Sequence, residues 1–376
     1  MAAANKLSLL THFAELKDPR INRTKRHLLL DIIGLAISAV IGGAESWVDI
    51  ERFGKAKLEW LKTFLVLPHG IPSHDTIERL FRRLKPQEFQ RCFANWVRAL
   101  HEELGLKQVA IDGKTLRRSF DRAQEKSALH LVSAWCTENH LTLGQVAVDA
   151  KSNEITAIPE LLRMLELSGA VVTIDAMGCQ KEIAAQIVEG GAKYVLAVKD
   201  NQPNLHEDLQ EHFIQVHEKD LADVEHSHYE TNEVAHGRET TRSYYATPVP
   251  EMLRNSSAWR GLQSVGQVIT TTVRGGEETC EIRFFINSFR SNARRFAKAV
   301  RGHWGIENSL HWVLDVSFDE DHSRIRKNHG AENFALLRRI ALSLIKREAT
   351  PGSIRGKRKM AGWNNELLLN VLVAGI

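Results

Sequence analysis

Cysteine is scarce and scattered in this chain: four residues in 376, Cys92, Cys136, Cys179 and Cys280, with no Cys-x-x-Cys pair. That spacing indicates neither a zinc ribbon nor a disulfide framework, and it leads to the expectation of a reducing, cytoplasmic setting. Long apolar runs are missing too. The strongest, Leu28 to Ala44, carries Asp31 and several glycines and falls short of the about 20 residues that cross a bilayer, so no membrane segment is expected and no signal peptide is read before it. A large excess of one charge is also absent. The formal net charge of +4 fits a polyanion partner without requiring one, so the distribution of charge matters more than its total. Basic residues gather at Lys17 to His27, Arg79 to Arg83, Arg290 to Arg301, Arg324 to Lys327 and Arg355 to Lys359.

What is present divides by texture. Residues 1–100 read as a helical N-terminal domain for DNA binding. Leu28 to Val40 predicts a buried helix, Val48 to Leu65 an amphipathic one, and Ser73 caps a third that runs to Leu84 after the Pro/Gly turn at Leu67 to Pro72. A helix, a turn and a short helix bearing Arg79, Arg82 and Arg83 is the outline of a helix-turn-helix reader, and equally of an ordinary surface helix. Residues 105–347 form a second unit. Their pattern β-β-β-α-β-α-β (Lys107 to Ile111, Ala128 to Cys136, Leu141 to Val148, helix from Asn153 to Leu167, Val171 to Ile174, helix from Gln180 to Glu189, Lys193 to Val198) predicts a mixed α/β sheet flanked by helices in the ribonuclease H-like order. Residues 201–290 break the alternation with a polar helix from Asn204 to Lys219 and hairpins around His236-Gly-Arg238 and Arg274-Gly-Gly-Glu277, a mostly β insertion. A helix from Asn292 to Val316 and another from Ala331 to Glu348 follow, and residues 348–376 read as a basic C-terminal tail, with a loop at Arg355 to Lys359, and a short helix from Asn364.

Three acidic residues stand out by context. Asp112 closes Val109-Ala-Ile, Asp175 closes Val171-Val-Thr-Ile, and Glu307 lies in the helical stretch Arg301-Gly-His-Trp-Gly-Ile-Glu-Asn308. Asp175 follows Asp112 by 63 positions and Glu307 follows Asp175 by 132, the longer gap holding the insertion. Strands that end on Asp put carboxylates at one sheet edge, and a Glu on a packed helix can meet them there. Three such groups make an oxygen-rich site for hard divalent cations, and two ions about 4 Å apart suit phosphodiester cleavage. Lys114 and Lys199 read as lying just past strand ends, where an ammonium can meet a phosphate. His303, Glu307 and His311 share one helix stripe at four-residue steps, so zinc is a competing reading; the outer two lie about 12 Å apart along the axis, which opposes one shared ion. Trp304 and Trp312 on the same helix are expected to pack in the core, with stacking on an unpaired base as the alternative.

The set Ile111-Asp-Gly-Lys114, Ile174-Asp-Ala-Met177, Val198-Lys-Asp-Asn-Gln-Pro203, His236-Gly-Arg238 and His303-Trp-Gly-Ile-Glu-Asn308 through Asp315 resembles the bacterial insertion-sequence transposases of the DDE class, the group that includes the H-repeat-associated proteins. The resemblance covers nearly the whole chain. It implies a ribonuclease H-like catalytic domain with Asp112, Asp175 and Glu307 as catalytic triad and metal ligands, holding two Mg²⁺ ions for which Mn²⁺ can substitute. It also implies terminal inverted repeats and target DNA as partners, a homodimer or larger assembly on DNA, and a bacterial cytoplasmic setting. Candidate DNA contacts are Lys114, Lys199, His236, Arg238, Arg301, His303, His311, Arg79, Arg82 and Arg83. The chain departs from the wider superfamily around Glu307: where Tyr, Arg and Lys are common, Val300, His303 and Leu314 stand. The function expected is cleavage of DNA at the ends of the element and strand transfer. A metal-dependent nuclease without joining, or a transposase-derived DNA-binding protein that no longer cuts, are the alternatives.

Overall fold

The computed structural model describes residues 8–104, 107–120, 127–148, 153–219, 224–235 and 237–374. The strands are β1 (Gln108–Leu116), β2 (Leu129–Cys136), β3 (Leu141–Ala147), β4 (Val171–Ile174), β5 (Lys193–Val198), β6 (Ser227–Ala235), β7 (Arg238–Pro248), β8 (Ser264–Arg274) and β9 (Glu277–Asn287). They form one sheet in the order β3-β2-β1-β4-β5-β9-β8-β7-β6. Strands β1, β2 and β3 pair antiparallel, while β1, β4 and β5 run parallel, the ribonuclease H-like arrangement. Parallel strands need covering on both faces, which accounts for the mostly apolar, buried runs Val171 to Ile174 and Tyr194 to Leu196.

The β insertion lengthens this sheet and is not set apart from it. Phe284 to Asn287 of β9 pair with the tail of β5, and β8, β7 and β6 add on in turn. The β8–β9 turn is two residues long, and Gly275 and Gly276 both take positive φ, the geometry that matches the twist of a tight hairpin.

The helices are α1 (Ser8–Thr11), α2 (Leu29–Ile41), α3 (Trp47–Ala56), α4 (Leu58–Leu61), α5 (His74–Arg83), α6 (Pro86–Leu104), α7 (Glu154–Arg163), α8 (Lys181–Glu189), α9 (Pro203–Glu218), α10 (Ala293–Ile306), α11 (Trp312–Phe318), α12 (Gly330–Arg347), α13 (Ile354–Trp363) and α14 (Asn365–Val373). Helix α2 is buried nearly all round and packs on α12, α13 and α14 as well as on α3. Its one acidic residue, Asp31, faces inward because its carboxylate accepts the Val66 and Leu67 amides at 3.0 and 2.7 Å, two donors that no helix or strand satisfies. C-terminal residues finish N-terminal helices in the same way. Asn333 donates to Phe81 O in the last turn of α5 and to Leu84 O just past it, and Arg358 donates to Val40 O of α2. The basic stretch at Arg355 to Lys359 is therefore not a loop. Ser353 caps α13, which buries Lys357 and Arg358 against carbonyl oxygens.

Helix α10 crosses β1, β4 and β5. Gly302 lets it approach closely, because a Cβ there would overlap the Gln108 side chain on β1. Gln108 cannot simply swing away: it is buried and its Nε2 donates to Ala299 O of α10 at 2.6 Å. Thr137 adds a hydroxyl bond to Gly302 O at 3.1 Å. Gly302→Val is expected to lower stability by about 1–3 kcal/mol through overpacking. The measurement is urea denaturation of the purified variant; an unchanged midpoint would show that α10 does not bear on β1 this closely.

Candidate active site on β1, β4 and α10

The parallel register places Ile111 beside Ile174, so the next residues, Asp112 and Asp175, fall side by side on strands spaced about 4.8 Å apart. Strand β4 stops at Ile174, and Asp175 caps a short 3-10 turn by accepting the Met177 amide at 3.2 Å. Asp112 does not end its strand. It stands in the middle of β1, which continues to Leu116 along β2 after its pairing with β4 has ceased. Gly113 follows on the opposite face, where any side chain would collide with the Glu154 carboxylate and the His130 ring.

The two aspartates have opposite electrostatic tendencies. Burial pushes Asp112 up, but the His311 imidazole, with Nδ1 at 3.4 Å from Oδ2, together with His303 and the Gly113 amide, outweighs it, and the carboxyl lies below its ordinary range. Asp175 is raised, first by burial and then by the charges of Asp112 and Glu154. Two acids held this close in a half-buried place repel each other, and a cation between them would relieve both.

Glu307 is exposed and begins a π-helical turn, Glu307 to His311, inserted between α10 and α11. Such a turn adds one residue to the helix, setting everything beyond it back by about 100° relative to a continuous α-helix. His303 and His311 thereby go to different partners: the former's Nδ1 meets Thr173 Oγ1 at 3.0 Å on β4, the latter meets Asp112 on β1. They do not gather with Glu307 around one zinc ion, and among the described residues no group of three His, Cys, Asp or Glu side chains stands ready to hold a metal. Burial holds His303 below the ordinary histidine value, which keeps it neutral. The Nε2 of His311 is buried and has no partner among the described residues.

A cleft of about 210 Å³ opens on this arrangement, lined by Asp175, Lys199, Arg283, His303, Trp304 and Glu307 among others. Lys199, just past β5, is exposed at its rim as the sequence suggests. The segment after it holds the Asp175 turn from behind: Asn201 donates to Ala176 O at 2.6 Å and Gln202 to Cys179 O at 2.9 Å. Beyond Lys199, this Lys-Asp-Asn-Gln-Pro run stood out in the sequence only by resemblance; two side-chain amides beside a Pro that starts a helix were the signal for a docking turn. Trp304 and Trp312 are not core residues. They are 36% and 60% exposed, and Trp304 lies under the Arg283 guanidinium, 5.3 Å from ring centroid.

Other expected contacts lie elsewhere. Lys114 sits within β1, not past its end, and is buried. Its ammonium donates to Asp315 at 2.7 Å and Asp321 at 2.9 Å, which ties α11 to the strand. Arg301, on the other side of α10 from His303, donates to Glu233 of β6 at 2.6 Å. Arg238 is exposed at the β6–β7 hairpin, and His236 lies outside the described residues. On α5, Arg79 and Arg83 are exposed, while Arg82 turns toward Glu78 at 3.6 Å.

Among the described residues, no helix is long and apolar enough to cross a membrane. The chain matches the family described as "Transposase DDE domain" over residues 103–344 and "DDE_Tnp_1-associated" over residues 10–97. "H repeat-associated putative transposase YhhI" of Escherichia coli (strain K12) is 40% identical over 370 residues, 97% of this chain and 97% of its own length. "Putative transposase YncI" of Escherichia coli O157:H7 is 41% identical over 373 residues, 98% of this chain and 95% of its own length. A solved piggyBac transposase synaptic complex with hairpin DNA superposes with a TM-score of 0.40 at 10% identity, covering 99% of this chain and 77% of that one. The chain belongs to the DDE transposase family, beside its H repeat-associated members.

Proposed function

We propose that this transposase binds the terminal inverted repeats of its own insertion sequence, hydrolyses the phosphodiester at the element's ends and directs the freed 3′ hydroxyl at target DNA. The observation that carries the reading is the Asp112–Asp175 pair, set side by side by the β1–β4 register, with Asp175 in the same cleft as Glu307. The donor set is all oxygen and the like charges repel, which suits Mg²⁺, or Mn²⁺ in its place. Two such ions, when bound, supply activation of water and stabilisation of the leaving oxygen.

The remaining work falls to the chain's own groups. Asp112, Asp175 and Glu307 would hold the ions between them. His311 fixes the orientation of the Asp112 carboxylate. Lys199 meets a phosphate oxygen at the rim of the cleft. His303 is a neutral support anchored to Thr173 and packs the wall from which Glu307 projects. Lys114 keeps α11, and with it the π-turn, on β1. The exposed arginines of α5 provide DNA contacts, and the chain acts as a homodimer or larger assembly when on DNA.

Asp112→Asn, Asp175→Asn and Glu307→Gln are each expected to abolish Mg²⁺-dependent cleavage of a duplex carrying the inverted repeat, by at least about a hundredfold, with binding in a gel shift retained. Near-normal cleavage by any one of them removes that residue from the site. If cleavage is normal but pre-cut ends are never joined to a second duplex, the chain is a nuclease without strand transfer.

His303 separates a supporting from a phosphate-binding role. Because its folded value lies below the ordinary one, it is uncharged at neutral pH, and no loss of cleavage is expected as pH rises from about 7 to 8.5 through its deprotonation. The sign for stability is the opposite of a cationic pair: protons bind the unfolded chain more readily, so stability falls as pH drops below about 6.5. His303→Asn should lose this acid sensitivity and keep much of the activity, while His303→Arg should lose activity. An active Arg variant with a flattened alkaline decline would assign the residue to phosphate.

A further inference from the structure

Beyond the carboxylate cleft, a second cleft of about 350 Å³ separates α5 from the segment before α12, lined by Trp47, Glu78, Arg82, Arg324, Ile325, Arg326 and Lys327. Four of the seven are cationic and one is acidic. Its floor is rigid, because Trp47 stacks on Phe81 with centroids 5.1 Å apart and meets Phe334 edge-on at 4.8 Å. The cations come from segments about 240 residues apart in sequence, so only the folded chain brings them together.

A single carboxylate oxygen holds the middle. Glu78 Oε1 lies 3.6 Å from Arg82 Nη1 and 4.0 Å from Lys327 Nζ, long for either pair and short of a direct hydrogen bond. Arg82 Nε is buried with no partner among the described residues. Arg324 is exposed and enters no ion pair among the described residues. One acid at long range from two of four bases leaves donors free to meet phosphate oxygens.

The cleft is also joined to the active strand. Arg326 Nε donates to Arg118 O at 3.0 Å, and its guanidinium lies over the Phe120 ring at 4.7 Å, just past the end of β1. Asp112 is six residues upstream, at most about 20 Å along an extended strand, less than the about 34 Å of one duplex turn. The Arg118 end of the cleft therefore lies within the length of one duplex turn of Asp112.

We infer that this cleft binds the phosphate backbone of duplex DNA, and that Glu78 is an internal anion which the phosphate displaces. This rests on the transposase reading above, and it assigns to Arg82, Arg324 and Lys327 a task different from that of the solvent-facing Arg79 and Arg83. Base sequence is not read here, since backbone contacts carry no sequence information.

The test uses the full chain and a fluorescein-labelled 30-base-pair duplex of arbitrary sequence, with affinity measured by anisotropy at several salt concentrations. Arg324→Ala/Lys327→Ala is expected to weaken binding on the order of tenfold and to reduce the salt slope by about one to two. Glu78→Gln is expected to tighten binding roughly two- to fivefold, the range of an exposed ion pair. Thermal denaturation of both variants identifies a fold defect; should the double variant show one, Glu78→Gln decides, and unchanged or weaker binding by it overturns the proposal. A folded double variant with wild-type affinity and slope also overturns the cleft while leaving the transposase reading intact. A wild-type chain that binds neither this duplex nor the inverted repeat overturns both.

Discussion

The close seat of α10 on β1 is the constraint from which the rest of the site follows. Gly302 removes the one side chain that would hold helix and strand apart, and Gln108 and Thr137 then tie the helix backbone to the sheet from both ends of the contact. Glu307 is exposed about one and a half turns beyond Gly302, and the π-turn that it begins swings His311 onto Asp112. Lys114 completes the clamp through Asp315. Three elements far apart in sequence are thereby brought together where β1 and β4 part, at Asp112 in mid-strand and at Asp175 just past the end of β4.

That geometry gathers negative charge at one place and relieves it only in part. Asp112 is satisfied by His311 and the Gly113 amide, while Asp175, facing Asp112 and Glu154, is left with an upward-shifted carboxyl. Lys114 points to the same face of β1 but its charge is consumed by Asp315 and Asp321, so it does not neutralise the pair. Basic surface lies further out, at Lys199, on α5 and around Arg324 to Lys327. A carboxylate centre on a chain with separate basic surface is the charge distribution that the proposed reading requires.

Much of this was legible because the signals are periodic or local. The strands Val171 to Ile174 and Lys193 to Val198, the Ser73 cap and the Gly275-Gly276 hairpin follow from apolar runs and turn chemistry, and they appear at the expected places. The carboxylates could be picked out by order, yet the register that aligns Asp112 with Asp175 is a pairing between strands and is not written in either one. The π-turn was invisible because one slipped hydrogen bond leaves hydrophobic spacing almost unchanged over five residues. Lys114, Arg301, Lys357 and Arg358 show the same gap: a basic residue reads as a candidate phosphate ligand until its partner arrives from elsewhere, here Asp315, Glu233 and helix-end carbonyls. Trp304 and Trp312 err in the other direction, since large aromatics are usually core and these two face solvent.

The most direct test of the central claim is a crystal structure of the chain with an inverted-repeat duplex and Mn²⁺, with anomalous scattering used to locate the ions. The expected result is two ions held among Asp112, Asp175 and Glu307. Mn²⁺ found only away from Asp112 and Asp175, or a Glu307 side chain that stays out of reach of every ion on the DNA-bound protein, would contradict it.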